Sequence, residues 1–250
     1  TYEIRKATNM KNMQVIVSAF LGGVLTALAG MANLLLHDTQ PIAAALIFGV
    51  MLLAVTMLNL HLLTAKAGYL LWDSGMIRTR AVHLLFTFCG NVIGAAATGE
   101  LLRFAYTSRG FAKELINGRF SSSVGSVAVG SVLCGVLMFV GVHAYRRSRG
   151  GIGGTLVTLG AGAAIVLCNF THSITDIFYM SFRHVYNGRA AAVLLIGIIG
   201  NVIGALLTAL LYEYKKSSDE VYHEQEEAEE ASERRHAHHH HHTHSHSEEE

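Results

Sequence analysis

Six long apolar stretches dominate this chain of 250 residues. A helix needs about 20 mostly apolar residues to cross the hydrocarbon core of a bilayer. The chain is 51% hydrophobic and only 15% charged, whereas soluble domains carry about 25% charged residues. The pattern therefore predicts an all-α membrane protein with six transmembrane helices, and it argues against a soluble enzyme. The predicted spans are Met13–Leu36, Ile42–Leu63, Ala81–Leu102, Val124–Tyr145, Ile152–Phe170 and Ala190–Tyr212.

Charge placement predicts how the chain sits in the membrane. The net charge is only +1, so no basic field favours a nucleic-acid partner. More Lys and Arg residues fall on the side that holds both termini, which predicts that both termini are cytoplasmic. We expect the protein to lie in the inner (cytoplasmic) membrane. We expect a cytoplasmic N-terminal segment over residues 1–12, a membrane channel domain over 13–214, and a cytoplasmic tail over 215–250.

The tail differs in kind from the membrane region. It is acidic, it ends in a His-rich run, and it has no apolar periodicity, so we expect it to be solvated and largely disordered. A His-rich tract can bind zinc or nickel loosely. The alternative, that the tract has no metal-handling role, is equally open. We predict no metal site in the membrane region and no cofactor. The histidines available for loose binding are His238, His239, His240, His241 and His242.

An internal repeat divides the membrane region. CGNVIGAAAT at Cys89–Thr98 returns as IGNVIGALLT at Ile199–Thr208, 110 residues further on. The same offset relates the second span to the fifth, which gives repeats of about 13–106 and 123–214. Each repeat holds three spans, an odd number, so the second must enter the membrane from the opposite side. We predict two inverted 3+3 repeats, an architecture typical of transporters with a site at the repeat interface.

The repeated segment also predicts packing contacts. Its glycines have the spacing that lets helix backbones approach closely, and its asparagines are expected to hydrogen-bond loop backbone. These structural residues are Gly90, Gly94, Asn91, Gly200, Gly204 and Asn201.

Spans two and five each end in a polar interruption, at residues 59–68 and 168–176. Interrupted helices at matching positions of two repeats indicate a substrate site. The second half-helices would begin near the midplane of the membrane. Because helix N-termini carry partial positive charge and unpaired N–H donors, two of them at one spot favour an anion.

The residues at these interruptions resemble a known family. Asn169–Phe178 is similar to the G-[FY]-E-H-[SC]-[IV]-A-[ND]-M-[FY] signature of the formate/nitrite transporter family, and Leu62-Leu63-Thr64 is similar to its L-F-T loop. Both GNVIG segments resemble its G-N-[IV]-[IV]-G helices. The resemblance covers the whole membrane region.

The resemblance implies an aquaporin-like protomer with two broken helices, a homopentamer with one pore per protomer, and a lipid bilayer around it. It implies passage of small monovalent anions or their conjugate acids: formate, nitrite, hydrosulfide or short monocarboxylates. By position, the central pore histidine is His172 and the loop threonine is Thr64. The hydrophobic constrictions implied are Phe48, Leu52, Leu62, Leu63 and Ile165.

Three residues of the expected substrate pore depart from the family pattern. Thr171 and His61 stand where the family has glutamates, and Lys66 follows the loop threonine where a small or polar residue is usual. Two interpretations of Lys66 are open: it raises the local anion concentration beside the pore, or it forms an ion pair with its repeat mate Asp176.

A second function class competes with the anion channel. The His-rich tail, His61, His172 and Asp176 together suggest a divalent-metal transporter. Such ions need several convergent carboxylates or imidazoles, and the membrane region offers few carboxylates, so the pattern favours the anion. The hydrolase motifs Gly-x-Ser-x-Gly and His-Glu-x-x-His do not occur in the sequence, and we predict that the chain is not an enzyme.

Overall fold

The structure is a computed structural model. It describes the backbone of residues 2–244 except 72–75, 107 and 109, and the side chains of residues 12–217 with the same gaps. The regular secondary structure of the described residues is all helical, with no strand among them. The helices are α1 (Tyr2–Leu36), α2 (Pro41–Met57), α3 (Leu63–Lys66), α4 (Ile77–Ala105), α5 (Lys113–Ser121), α6 (Val124–Arg147), α7 (Ile152–Leu167), α8 (Ser173–Arg183) and α9 (Gly188–His244).

Four segments are long and apolar enough to cross a membrane, judged by length and composition. They are Asn12–Leu36 of α1, Ile77–Ala105, Val124–Arg147 and Gly188–Ser217 of α9. The other two predicted spans correspond to shorter apolar helices, α2 with 17 residues and α7 with 16. Many large apolar side chains of these helices are exposed on the single chain, including Leu85, Ile93 and Leu133, which fits a protein surrounded by lipid or by other copies of itself.

Glycines bring the long helices of each half close together. A Cβ on Gly94 would overlap the carbonyl oxygen of Phe20 in α1. A Cβ on Gly204 would overlap the carbonyl oxygen of Val132 in α6. Gly90 and Gly200 lie one turn earlier in the same two interfaces. The repeated glycines therefore lie where α4 meets α1 and where α9 meets α6.

Helices α2 and α7 end in the same way. Each is followed by an asparagine in the left-handed conformation, Asn59 with φ 49° and Asn169 with φ 52°. Asparagine adopts this conformation more readily than other residues with a side chain. After a short extended stretch, α3 begins at Leu63 and α8 at Ser173. We call residues 58–62 the first break and residues 168–172 the second break.

The chain separates into two compact units, Thr1–Ala209 and Leu210–Glu250. The second unit contains the end of α9, which continues as helix to His244. The sequence pattern predicts disorder over this tail because it has no apolar face. Its Glu, Ala, Gln and Arg residues are strong helix formers, which accounts for the helical backbone.

Candidate functional site at the two helix breaks

Each break is held by a buried asparagine from the repeated GNVIG segment. Asn91 Nδ2 donates to the carbonyl oxygens of Ala19 (2.7 Å) and His61 (2.8 Å), and its Oδ1 accepts from the N–H of Leu63 (2.8 Å).

Asn201 makes the equivalent contacts at the second break. Its Nδ2 donates to the carbonyl oxygens of Ser131 and Thr171, both at 2.8 Å, and its Oδ1 accepts from the N–H of Ser173 at 2.9 Å. Each asparagine thus joins a long helix, the extended backbone of a break and the first N–H of the helix that follows.

His172 is the last residue of the second break and is 3% exposed. The N–H of Thr175 donates to His172 Nδ1 at 3.3 Å, and Thr175 Oγ1 lies 3.0 Å from the same atom. The backbone donor leaves the proton of a neutral ring on Nε2, which lies 3.1 Å from Thr64 Oγ1. The histidine and the loop threonine named from the sequence are therefore in contact, although they come from different repeats.

Two small cavities meet at His172. One, of about 10 Å³, has a mainly apolar lining that includes Phe48, Leu52 and Leu62. The other, of about 20 Å³, is lined by Phe48 and Ile165 together with polar residues. The Phe48 ring also lies edge-on to the imidazole, with ring centroids 5.9 Å apart. Four of the five residues expected at constrictions thus lie around His172, whereas the buried Leu63 is not among the described lining residues.

The second break is closed by Arg119, a residue of α5 that the sequence interpretation did not single out. Arg119 Nη1 donates to the Asn169 carbonyl oxygen (2.9 Å) and to Thr171 Oγ1 (3.2 Å). Arg119 Nη2 donates to Asn169 Oδ1 (2.6 Å) and to the Phe170 carbonyl oxygen (3.3 Å). No sequence pattern distinguishes Arg119 from the other arginines between spans, because its partners come from a distant part of the chain.

Arg119 also neutralises a buried carboxylate. Its Nε lies 3.5 Å from Asp176 Oδ1, and the two side chains are 9% and 1% exposed. Lys66 Nζ instead lies 3.4 Å from Asn59 Oδ1. The described contacts therefore pair Asp176 with Arg119 and not with Lys66, so the Lys66–Asp176 ion pair considered from the sequence is wrong.

The first break opens into a cavity of about 310 Å³, which we call the basic chamber. Lys66, Arg146 and Arg80 line it, together with His61 and His83. Arg146 Nη2 donates to Asn59 Oδ1 at 3.3 Å, so this asparagine also has an arginine partner. His61 Nδ1 lies 3.0 Å from Ser18 Oγ.

Metal-ligating side chains do not cluster in the part of the chain that the structure describes. No group of three or more His, Cys, Asp or Glu side chains is close enough there to hold an ion. The tail histidines named from the sequence, residues 238–242, lie outside the described side chains.

Long apolar helices, two paired helix breaks and a buried imidazole between small cavities are the features expected of a helical membrane transport protein. The chain belongs to the formate/nitrite transporter family, because the model of that family, "Formate/nitrite transporter", matches residues 2–240. The family membership predicted from the sequence is confirmed. None of the curated proteins compared with the chain matches it.

Two solved structures share the fold. An "FNT family ion channel" superposes with a TM-score of 0.74 at 17% identity, over 85% of this chain and 94% of that one. A "Pentameric formate channel with formate bound" superposes with a TM-score of 0.66 at 14% identity, over 83% of this chain and 98% of that one.

Proposed function

We propose that the chain is a membrane channel for small monovalent anions or their conjugate acids, such as formate, nitrite, hydrosulfide or a short monocarboxylate. The observation that carries the proposal is the contact between Thr64 Oγ1 and His172 Nε2, buried between two cavities. An ionisable side chain at membrane depth favours a role in transport over a structural one. Family membership supports the same function.

We further propose the architecture that the sequence predicts: six spans in two inverted repeats, an aquaporin-like protomer and a homopentamer. The matched hydrogen bonds of Asn91 and Asn201 support the repeat. The similarity to a pentameric channel supports the assembly. Helices α2 with α3, and α7 with α8, would form the two broken spans. The protein would lie in the inner membrane, and the Lys and Arg placement supports cytoplasmic termini.

In the proposed mechanism, His172 recognises the anion at the narrowest part of the path. A bare anion pays a steep desolvation cost at an apolar constriction formed by Phe48, Leu52 and Leu62. The Nε2–H of neutral His172 can donate a hydrogen bond to the anion, and protonated His172 can pass a proton to it. The resulting neutral acid crosses the apolar ring at a much lower cost. Thr64 and Thr175 orient the imidazole by contacting its two nitrogens.

The departures from the family pattern fit this proposal in different ways. Lys66 and His61 line the basic chamber, where Lys66 would raise the local concentration of anions. Thr171 accepts from Arg119 and would help to hold the second break.

Uptake into proteoliposomes tests the proposal. The panel contains formate, acetate, nitrite, hydrosulfide and bicarbonate, measured from pH 5 to 8, with zinc and manganese as the metal arm. We expect saturable flux of at least one small anion and a rate that changes with pH. Metal flux without anion flux would reject the channel and favour a divalent-metal transporter, for which the described residues offer no clustered ligands.

A further inference from the structure

The basic chamber is larger and more highly charged than transport of a small monovalent anion requires. Its volume of about 310 Å³ lies at the lower end of the range for pockets that hold drug-sized ligands, about 300–1,000 Å³. Lys66, Arg80 and Arg146 supply three formal positive charges to its wall, and its described lining residues include no Asp or Glu. One formate ion would fill a small part of this space.

The cations are arranged around the chamber by neighbouring groups. The Arg146 guanidinium lies 4.9 Å from the centre of the Tyr69 ring, and Arg80 Nη1 donates to the Tyr69 carbonyl oxygen at 3.1 Å. Lys66 and Arg146 share Asn59 Oδ1 as a partner. The contacts of Lys66 and Arg146 are with neutral groups, so these contacts do not cancel the positive charge of the two side chains.

In the proposed channel, the path leads from the chamber to much smaller cavities. The cavities that meet at His172 measure about 10 and 20 Å³, room for about one water molecule each. An anion that fills the chamber therefore cannot follow the small substrate past His172. It would remain in the chamber and obstruct the entrance.

We propose that the basic chamber is a regulatory site for a multivalent oxyanion, either a di- or polyphosphate or a polycarboxylate, which slows transport from that side. The Arg146 guanidinium and the Lys66 ammonium match two of the negatively charged oxygens that both ligand types present. The slowing of transport rests on the proposed channel function, whereas binding to the chamber does not.

Calorimetric titration of the purified full chain in detergent tests the binding. Inorganic pyrophosphate and citrate are the probes, and chloride at equal ionic strength is the control. We expect saturable binding of pyrophosphate, citrate or both, at least tenfold weaker in Arg146→Gln and in Lys66→Gln. Arg147→Gln is the matched control, because Arg147 is exposed and is not among the chamber residues. Thermal melting of each variant checks that it is folded.

The titration has two outcomes that overturn the proposal. One is the absence of saturable binding of either probe to the wild type. The other is an equal affinity in Arg146→Gln, Lys66→Gln and Arg147→Gln, which would mean unspecific attraction. Saturable binding of pyrophosphate alone identifies the ligand as a phosphate compound. Saturable binding of citrate alone identifies it as a polycarboxylate.

Flux measurements test the regulatory step. Pyrophosphate or citrate on one side of oriented proteoliposomes should lower small-anion flux at least fivefold, and the same probe on the other side should not. Arg146→Gln should relieve the inhibition, whereas Arg147→Gln should keep it. Chamber binding without any small-anion flux would reject the proposed function and leave the binding site intact. Binding with flux that neither probe slows would overturn the regulatory role alone.

Discussion

The two helix breaks share a backbone conformation but carry different functional side chains. Asn59 and Asn169 both adopt positive φ and both accept a hydrogen bond from an arginine. Asn91 and Asn201 bind the two breaks through equivalent sets of atoms. These features lie in, or bind to, the repeated parts of the sequence.

The differences arise at the positions that the repeat does not preserve. His172 occupies the position equivalent to Leu62, and Asp176 occupies the position equivalent to Lys66. The second break is sealed by Arg119, whose side chain is 9% exposed, whereas the first break borders the open basic chamber. The repeat thus provides a common scaffold, and a few substituted side chains make one break a buried site sealed by Arg119 and the other part of the wall of an open chamber.

The largest expected difference between the breaks is the stability lost when the arginine that contacts each break is replaced. Arg119→Gln would leave Asp176 buried without its cation, and breaking such a pair costs about 3–5 kcal/mol. Arg146→Gln removes a solvent-exposed hydrogen bond to Asn59 and a contact with the Tyr69 ring, each worth about 1 kcal/mol. Denaturation of the purified protein in detergent should show a large loss of stability for the first variant and a smaller one for the second.

A double variant provides the control for this prediction. Arg119→Gln with Asp176→Asn removes both charges of the pair, so it should recover part of the lost stability. If Arg119→Gln and Arg146→Gln were equally stable, the described contrast between a sealed and an open break would be wrong.

The sequence predicts the common scaffold better than the differences. The GNVIG repeat, the asparagines and the glycines follow from local patterns that recur at a fixed offset. The contact of His172 with Thr64 follows from the family resemblance, since the two residues are far apart in the chain. Arg119 and Arg146 could not be predicted, because they lie outside the breaks that they contact and form no motif with them. Side chains that act across the fold leave no periodic signal.

The two clamping asparagines should be equally important. Asn91→Ala or Asn201→Ala would leave one N–H and two carbonyl groups of buried backbone without their partner. At about 1 kcal/mol for each hydrogen bond, we expect each variant to lose about 3 kcal/mol of stability in the same denaturation assay. Thr98→Ala, in the same helix as Asn91, removes a bond within one helix and serves as the control. A much smaller loss at one asparagine would show that the breaks are not equivalent.

Substitutions of His172 and His61 should differ in their effect on transport. His172→Asn removes the group that exchanges protons with the anion in the proposed mechanism. We therefore expect flux of the weak acid to fall at least about 100-fold, equivalent to about 2.7 kcal/mol. His61→Asn, at the half-buried position in the chamber wall, should change flux less than about fivefold. Stopped-flow uptake from pH 5 to 8 measures both. An unaltered rate and pH profile in His172→Asn would remove His172 from the mechanism.

The smallest effect on transport is expected for the acidic, His-rich tail, which follows only the second repeat. Helix α9 has 57 residues against 29 in its repeat mate α4, because the acidic tail extends it. This tail has no apolar face with which to pack, so deleting residues 218–250 should change small-anion flux less than about twofold while abolishing any loose zinc binding. Replacing the His run with alanine separates the two effects. A large loss of flux in a correctly assembled truncated protein would mean that the tail gates the pore, and the functional difference between the halves would then extend beyond the breaks.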